Sequence, residues 1–543
     1  MRKFICLVLI IIYFLFNQQG HSQTWPRIFG QDVTAWARDL KETYDHGYLL
    51  LGQVNPGPSV PQVYSWLIKT DINGVQIWDK KMFNLLYQIG GYKMERTSDH
   101  GLIIAGSTTS LDQSNYDAFF IKLNVCGEKE WCKIFSTPGN SEYGLKIIQV
   151  QDGYIALVKY FQDWKQKRIW LFKLDDAGDP VWQKLYAQTD PNLINEECRD
   201  LTVTSDGGYL ITGDGYYYDS VLTMWRLRPL MIKTDADGNE QWNLFYGLSS
   251  GFRGDVAQCP TEGPTGQYYC SARHFRDSIP TGDSPCFLKF DAAGNEVYYG
   301  DLVDSTKLGM SNTLNFINDS VMLIAGGWSH HTNICDSNGI IKTDTLGNVL
   351  KKKVLLANVV NTYRAAVVTS DDKYLVTGGF SVNGALPHIY LYKLNFNLDF
   401  DSIYTMPRVY DSLCPHPIVS DTTDLDDCGV VTSLKEPEEY EEDARLRVYP
   451  NPATDRVTVE IPQVLIRKSA GRGITTTIYH QWEKTRLDVF NLNGNLMFSQ
   501  EVDHNQTRVH INTSGWPQGM YLARLVFMNE VVAGEKLVIS VKN

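Results

Sequence analysis

The chain has 543 residues, of which 43% are hydrophobic and 21% charged, and a formal net charge of -12. This length exceeds what one hydrophobic core organises, so it calls for several domains or a repeat array. The acidic balance argues against nonspecific nucleic-acid binding, which needs a basic face.

Met1-Arg2-Lys3 and the apolar run Phe4 to Phe16, followed by polar residues to Ser22, have the pattern of a signal peptide over 1–22. The run is shorter than the about 20 apolar residues of a spanning helix, and no later segment approaches that length. Cys6 lies inside the apolar run without small residues before it, which disfavours a lipoprotein site. The mature chain is expected to be exported and soluble.

From residue 23 to 404 one phrase recurs seven times: an apolar strand ending in Lys, then Asp or Asn two residues on. The lysines are Lys69, Lys122, Lys173, Lys233, Lys289, Lys342 and Lys393, spaced 51 to 60 residues apart. Glycine follows at the fifth position in six copies (Gly74, Gly127, Gly178, Gly238, Gly294, Gly347). An aromatic follows at the ninth in five (Trp78, Trp131, Trp182, Trp242, Tyr298). Upstream of each Lys stands a second turn, such as Ser205-Asp206-Gly207-Gly208. Strand-length apolar runs between Gly/Asp/Asn turns, repeated at this period, predict an all-β, seven-bladed β-propeller with strands a to d in each blade. Repeat seven lacks the glycine and aromatic after Asn395. Trp25-Pro26-Arg27-Ile28-Phe29-Gly30 matches Trp242 to Gly247 in kind and is expected to supply the missing d strand, sealing the ring. The Asp-x-x-Gly-x-x-x-Trp phrase also resembles the blade-docking motif of quinoprotein dehydrogenase propellers. That resemblance implies tryptophan packing between blades. The cofactor does not carry over, because the adjacent cysteine pair and ligand set of that family are missing from this sequence; no cofactor is expected.

Residues 405–445 read as an irregular, increasingly acidic linker ending in Glu436-Pro437-Glu438-Glu439-Tyr440-Glu441-Glu442-Asp443. Residues 446–543 then alternate as short strands and suggest a small immunoglobulin-like β-sandwich. Three motifs stand in this segment: Tyr449-Pro450-Asn451-Pro452, Asn491-Leu492-Asn493-Gly494 and Gly519-Met520-Tyr521-Leu522. Together they resemble the C-terminal sorting domain of the type IX secretion system found in secreted proteins of Bacteroidetes. The stretch Gln463 to Glu483, with Arg467, Lys468, Arg472 and Thr475-Thr476-Thr477, is longer than that pattern expects. The resemblance implies the type IX machinery as a partner, translocation across the outer membrane, and often replacement of the tail by a surface lipopolysaccharide anchor.

Nine cysteines follow the signal, in an oxidising compartment. Cys126 and Cys132 flank the repeat-two hairpin turn, and Cys414 and Cys428 bracket the linker loop. Each pair is a candidate bridge, with connectivity left open. Gly247-Leu248-Ser249-Ser250-Gly251 has the spacing of a hydrolase nucleophile elbow, but a strand rather than a helix follows, so a loop is the better reading. Asp235-Ala236-Asp237-Gly238-Asn239 lacks the distant Glu of a calcium loop and reads as a turn.

The tight turns keep their length while the b–c connections vary, and such variable insertions mark the binding face of a repeat array. Binding-face candidates are Tyr216, Tyr217, Tyr218, Trp225, Arg226 and Arg228 in repeat four, and His274, Phe275 and Arg276 in repeat five. Repeat six adds Trp328, His330 and His331, and repeat seven His388. Exposed rings of this kind stack on sugars or peptide side chains, and the same rings also serve to pack their own loops. His330, His331, Cys335 and Asp336 form a weaker metal-site candidate. No catalytic residue is assigned. The sequence supports a secreted or cell-surface binding or scaffold module for an extracellular glycan or protein. A polysaccharide hydrolase or lyase using channel carboxylates about 5 to 9.5 Å apart is the alternative, and a structural adhesin is a third.

Overall fold

A computed structural model describes residues 24–431 and 446–540, apart from connecting stretches at 58–62, 84–87, 110–114, 138, 163–165, 187–192, 220–223, 247–253, 277–281, 304–307, 330–336, 358, 361–362, 383–385, 462–464, 468–476, 480–484, 492–494, 503–505, 507 and 528–529. Residues 1–22, whose sequence has the pattern of a signal peptide, the acidic run 436–443, Gly247–Gly251 and the His330/His331/Cys335/Asp336 group lie outside the described residues. The chain divides into two compact units, Met1–Leu434 and Lys435–Asn543.

The first unit is an all-β propeller. Blade 1 contains strands Thr34–Glu42, Tyr48–Asn55, Tyr64–Thr70 and Gln76–Phe83, named a to d in that order. Five further antiparallel sheets of four strands follow in chain order, each with neighbours paired a-b-c-d. In the last sheet, a (Tyr363–Val368), b (Tyr374–Val382) and c (His388–Leu394) are completed by Arg27–Phe29, whose residues pair with Leu391, Tyr390 and Ile389. The N-terminal strand thus supplies the fourth strand of the last sheet, and that sheet's a strand packs beside Thr34–Glu42 of blade 1.

The recurring phrase is explained by three local devices. First, the Asp or Asn after each Lys caps its own turn. Asp235 Oδ1 accepts from the Asp237 and Asn239 amides at 2.9 and 2.8 Å, and Asp71, Asp175, Asp291 and Asp344 do the same. Second, the turn glycine seats the aromatic of the preceding blade. Gly238 has φ +75°, and a Cβ there would lie 2.6 Å from Trp182 Cη2. At the ring closure the N-terminal Trp25 takes this place, 2.7 Å from the position of a Cβ on Gly74. Repeat seven keeps the turn without the glycine. Leu398 adopts φ +61°, its amide donates to Asn395 O at 2.9 Å, and its side chain is buried among the last-blade residues.

Third, the lysine at the end of strand c is buried under the a–b turn and meets that turn's acid. Lys69 reaches Asp45 at 2.7 Å, Lys122 reaches Asp99 at 2.7 Å, Lys233 reaches Asp206 at 2.8 Å and Lys393 reaches Asp371 at 3.0 Å; Lys173 pairs with Asp152. In two repeats a ring faces the cation instead, although the a–b turn before Lys342 keeps an acid, Asp319. Lys289 lies over Tyr269 at 5.4 Å, and Lys342 over Phe396 at 3.5 Å.

The segment read as a linker from residue 405 is, through Val431, a strap bound to blades 1 and 2. Asp421–Asp424 adds in parallel to the outer strand of blade 1, and Gly429–Val431 to that of blade 2. The Tyr410 hydroxyl accepts from the Ile72 amide at 2.8 Å, Asp411 accepts from Trp78 Nε1 at 2.8 Å, and Leu425 is buried. Disulfides join Cys126 to Cys414 and Cys132 to Cys428, not Cys126 to Cys132 or Cys414 to Cys428. The strap runs back along blade 2, so each linker cysteine meets a blade cysteine rather than its sequence neighbour.

The second unit has a three-stranded sheet (Arg447–Tyr449, Arg456–Glu460, Arg508–Asn512) and a four-stranded one (Leu496–Glu501, Thr485–Asn491, Gly519–Phe527, Glu530–Ile539). Val457, Val459 and Ile511 share a core with Leu487, Val489, Tyr521, Leu525 and Leu537. Asn451 of the Tyr-Pro-Asn-Pro motif clamps the last strand: its Nδ2 donates to Lys536 O and its Oδ1 accepts from the Val538 amide, both at 2.8 Å. The long stretch 463–483 contains a short hairpin, Leu465–Arg467 with Thr477–Tyr479.

Candidate functional site

Strand direction puts the a–b and c–d turns on one face of the propeller and the b–c and d–a connections on the other, here called the turn face and the loop face. The a strands line the centre. Six of the seven carry an extra residue at matching depth, a β-bulge, at Arg38, Tyr92, Leu145, Arg199, Asn312 and Arg364. A bulge breaks the alternation of a strand and re-aims one side chain.

On the turn side of the bulges, charges of both signs interlock. Lys41 meets Glu95 at 2.8 Å, Lys146 meets Glu95 at 3.0 Å and Asp200 at 3.3 Å, and Lys93 reaches Asp200 at 4.0 Å. Asp39 accepts from the Met94 amide at 2.9 Å and adds to the field on Lys93. Burial would raise Glu95, but Lys41 and Lys146 override it and hold the carboxyl at about 2. Three cations face three carboxylates, so this level is internally neutralised.

Nearer the loop face the arginines differ. Arg199 is held by Asp214 at 2.6 Å and Glu197 at 3.3 Å; Glu197 also meets Lys159 at 3.5 Å and pairs with Lys167. Arg38 instead donates from Nε to Gln53 Oε1 at 2.9 Å and lies over the Tyr92 ring at 5.7 Å. Burial and repulsion from Arg364 hold the Arg38 guanidinium below its ordinary range. Both arginines line a cavity of about 350 Å³ with Trp36, Ala37, Gln53, Asn55, Val63 and Gly379. A larger groove of about 550 Å³ lies on the turn face between blades 1 and 2, but its Lys69 is paired with Asp45 and its Asp411 with Trp78.

The blade 4 hairpin carries the predicted aromatics. Strands Tyr209–Asp219 and Met224–Thr234 stay paired to Asp219 and Met224, whereas the d strand stops at Phe245, opposite Leu230. The hairpin therefore runs past its d strand on the loop side, while strand a accompanies it as far as Tyr217, which pairs with Leu193. Tyr216 and Tyr218 share one face, and Trp225 stands directly across from Tyr218. Tyr218 and Trp225 form an edge pair with centroids 5.2 Å apart, while Tyr216 is 37% and Trp225 41% exposed. Tyr217 alternates to the opposite face and is half-buried, as is Arg226.

The other candidates fall elsewhere. Trp328 is only 4% exposed: it lies in a paired b strand, and its ring packs where Gly339 leaves room, so it is core rather than binding surface. Arg228 is buried. His274 pairs with Gly254 and Ser284 through its backbone; its side chain, like those of Phe275 and Arg276, lies outside the described residues. His388 Nδ1 meets Gly30 O at 3.0 Å, which places it in the ring closure. Among the described residues no group of three His, Cys, Asp or Glu is arranged to hold a metal ion. Glu142, which sequence reasoning missed, is fully buried beside Thr137 and Asp117. Burial, with the Asp117 charge, pushes its carboxyl up to about 8.

Residues 447–540 match the family described as the secretion system C-terminal sorting domain. Among solved structures, the chain is similar to a protein of unknown function from Dyadobacter fermentans (12% identity over 69% of this chain and 99% of that one, TM-score 0.42). It is also similar to PorZ, a surface component of the type-IX secretion system of Porphyromonas gingivalis (10%, 93% and 81%, TM-score 0.24). A third is the β-propeller domain of the Trilobed protease from Pyrococcus furiosus (6%, 69% and 100%, TM-score 0.39). Comparison with curated proteins finds no match. The chain is a β-propeller protein whose C-terminal type IX sorting domain marks it for export, to the cell surface or beyond it.

Proposed function

We propose that the exported propeller is a binding module for an extracellular glycan or protein, and that the loop face is its recognition surface. The observation that carries this reading is the blade 4 hairpin. A strand pair that outruns its d strand on the loop side and carries Tyr216, Tyr218 and Trp225 on one face, with Tyr216 and Trp225 exposed, is a stacking platform, with hydroxyl and indole N–H groups at its edges. Hydrolysis of a polysaccharide would instead use two carboxylates free to exchange protons. At this level Glu197 and Asp214 are tied to Arg199 and its neighbouring lysines, and Glu142 is sealed from solvent. The test is binding and turnover of the full-length protein on an array of glycans and extracellular proteins. Specific binding without released product, lost in Trp225→Ala, supports the reading; released oligosaccharide overturns it.

A further inference from the structure

We propose that the cavity at the loop-face mouth of the channel, between blades 7 and 1, binds an anionic sugar residue whose carboxylate or sulfate is held between Arg38 and Arg364. This inference rests on the binding reading above and names the ligand class.

The argument begins with the bulges. Of the three arginines placed at this depth, Arg199 has its charge met by Asp214 and Glu197. Among the described residues neither Arg38 nor Arg364 has a carboxylate within ion-pair distance. The sequence of the adjoining b–c connections, Pro56 to Gln62 and Asn383 to Pro387, contains no acidic residue. The neutralised layer of Lys41, Lys93, Lys146, Asp39, Glu95 and Asp200 lies on the turn side of these bulges. Two guanidiniums are therefore left facing one cavity.

The remaining polar lining points the same way. Gln53 turns its Oε1 to Arg38, and Asn55 turns its Oδ1 to the Gly57 amide at 3.0 Å. Gln53 Oε1 takes two Arg38 donors and Asn55 Oδ1 one amide, so the hydrogen-bonding capacity left to a ligand is mostly donor. A site of donors and two planar cations selects an oxyanion, which guanidinium binds in bidentate fashion. Trp36 contributes an aromatic wall, and about 350 Å³ is the lower end of ligand-pocket size. That suits one or two sugar residues rather than a folded partner.

The test is calorimetric titration of the full-length protein with trigalacturonate, a sulfated trigalactoside and the neutral trigalactoside, at low and high salt. Either anionic probe, or both, should bind at least tenfold more tightly than the neutral one, and which binds tells carboxylate from sulfate. Arg364→Gln should weaken anionic binding at least tenfold and flatten its salt dependence, with an unchanged melting midpoint. Arg364→Lys should fall between. If Arg38→Gln fails to fold, Arg364→Gln decides alone. Equal affinity for neutral and anionic probes, no binding of either anion, or an Arg364→Gln affinity within twofold of the wild type overturns the proposal. Neutral-glycan binding that is lost in Trp225→Ala but indifferent to Arg364→Gln would overturn the anionic site while leaving the binding reading intact.

Discussion

The two faces of the propeller are built by opposite rules. On the turn face, residues at fixed offsets meet recurring partners: an Asp or Asn caps its turn, a glycine seats the preceding aromatic, and in five repeats the Lys meets the acid of the a–b turn. On the loop face the sequence of the b–c connections differs from blade to blade, and there Tyr216 and Trp225 are exposed and Arg38 and Arg364 have no countercharge among the described residues. The contrast teaches that repetition here marks what holds the ring together, and departure from repetition marks what is free to bind.

That division can be broken by substitution, and the largest effect is expected at the ring closure. Trp25 is buried, donates Nε1 to Asp401 O at 2.9 Å and covers Gly74. Trp25→Ala should destabilise the propeller by about 3–5 kcal/mol, measured by denaturant unfolding. Asp206→Asn comes next, because it strips the countercharge from Lys233, which is 1% exposed. A loss of about 1–3 kcal/mol at neutral pH is expected. Burial would raise Asp206, but hydrogen bonds from Lys233, Thr204 and the Gly208 amide hold it at about 2. A depressed carboxylate stabilises above its unfolded pKa, so this contribution should fade as pH drops below about 4 towards 2, and should be missing from the pH profile of Asp206→Asn.

Glu142 runs the other way. Its folded pKa, about 8, exceeds its unfolded value, so the native state holds a proton that the unfolded chain releases. Stability should therefore fall as pH rises from about 4.5 through about 8. Glu142→Gln should flatten that limb of a melting-midpoint profile; an unchanged slope would show that Glu142 does not titrate as described. The smallest effect on stability belongs to the loop face, where Trp225→Ala should move the unfolding free energy by no more than about 0.5 kcal/mol.

What the sequence revealed follows the same division. The turn phrase, the sealing strand at Arg27–Phe29 and the sorting-domain motifs were legible because each rests on short-range spacing. The purpose of the repeated lysines was not, because Asp206 lies 27 positions before Lys233 and on another turn. The four bridging cysteines were legible but their pairing was not, for a larger version of this reason: the partners are 288 and 296 positions apart, brought together by a strap that read as linker. Trp328 looked like its loop neighbours in composition, yet strand pairing buries it. Arg38 and Arg364 escaped notice because a bulge shifts the alternation from which facing is inferred, and strand a is the most divergent part of each repeat.

The most direct test of the division places the full-length wild type, Trp225→Ala and Asp206→Asn side by side on a glycan array, with the melting midpoint of each recorded. Trp225→Ala should lose its spots and keep its midpoint, and Asp206→Asn should keep its spots with a lowered midpoint. Spots that survive in Trp225→Ala, or vanish in Asp206→Asn below its midpoint, would contradict the account.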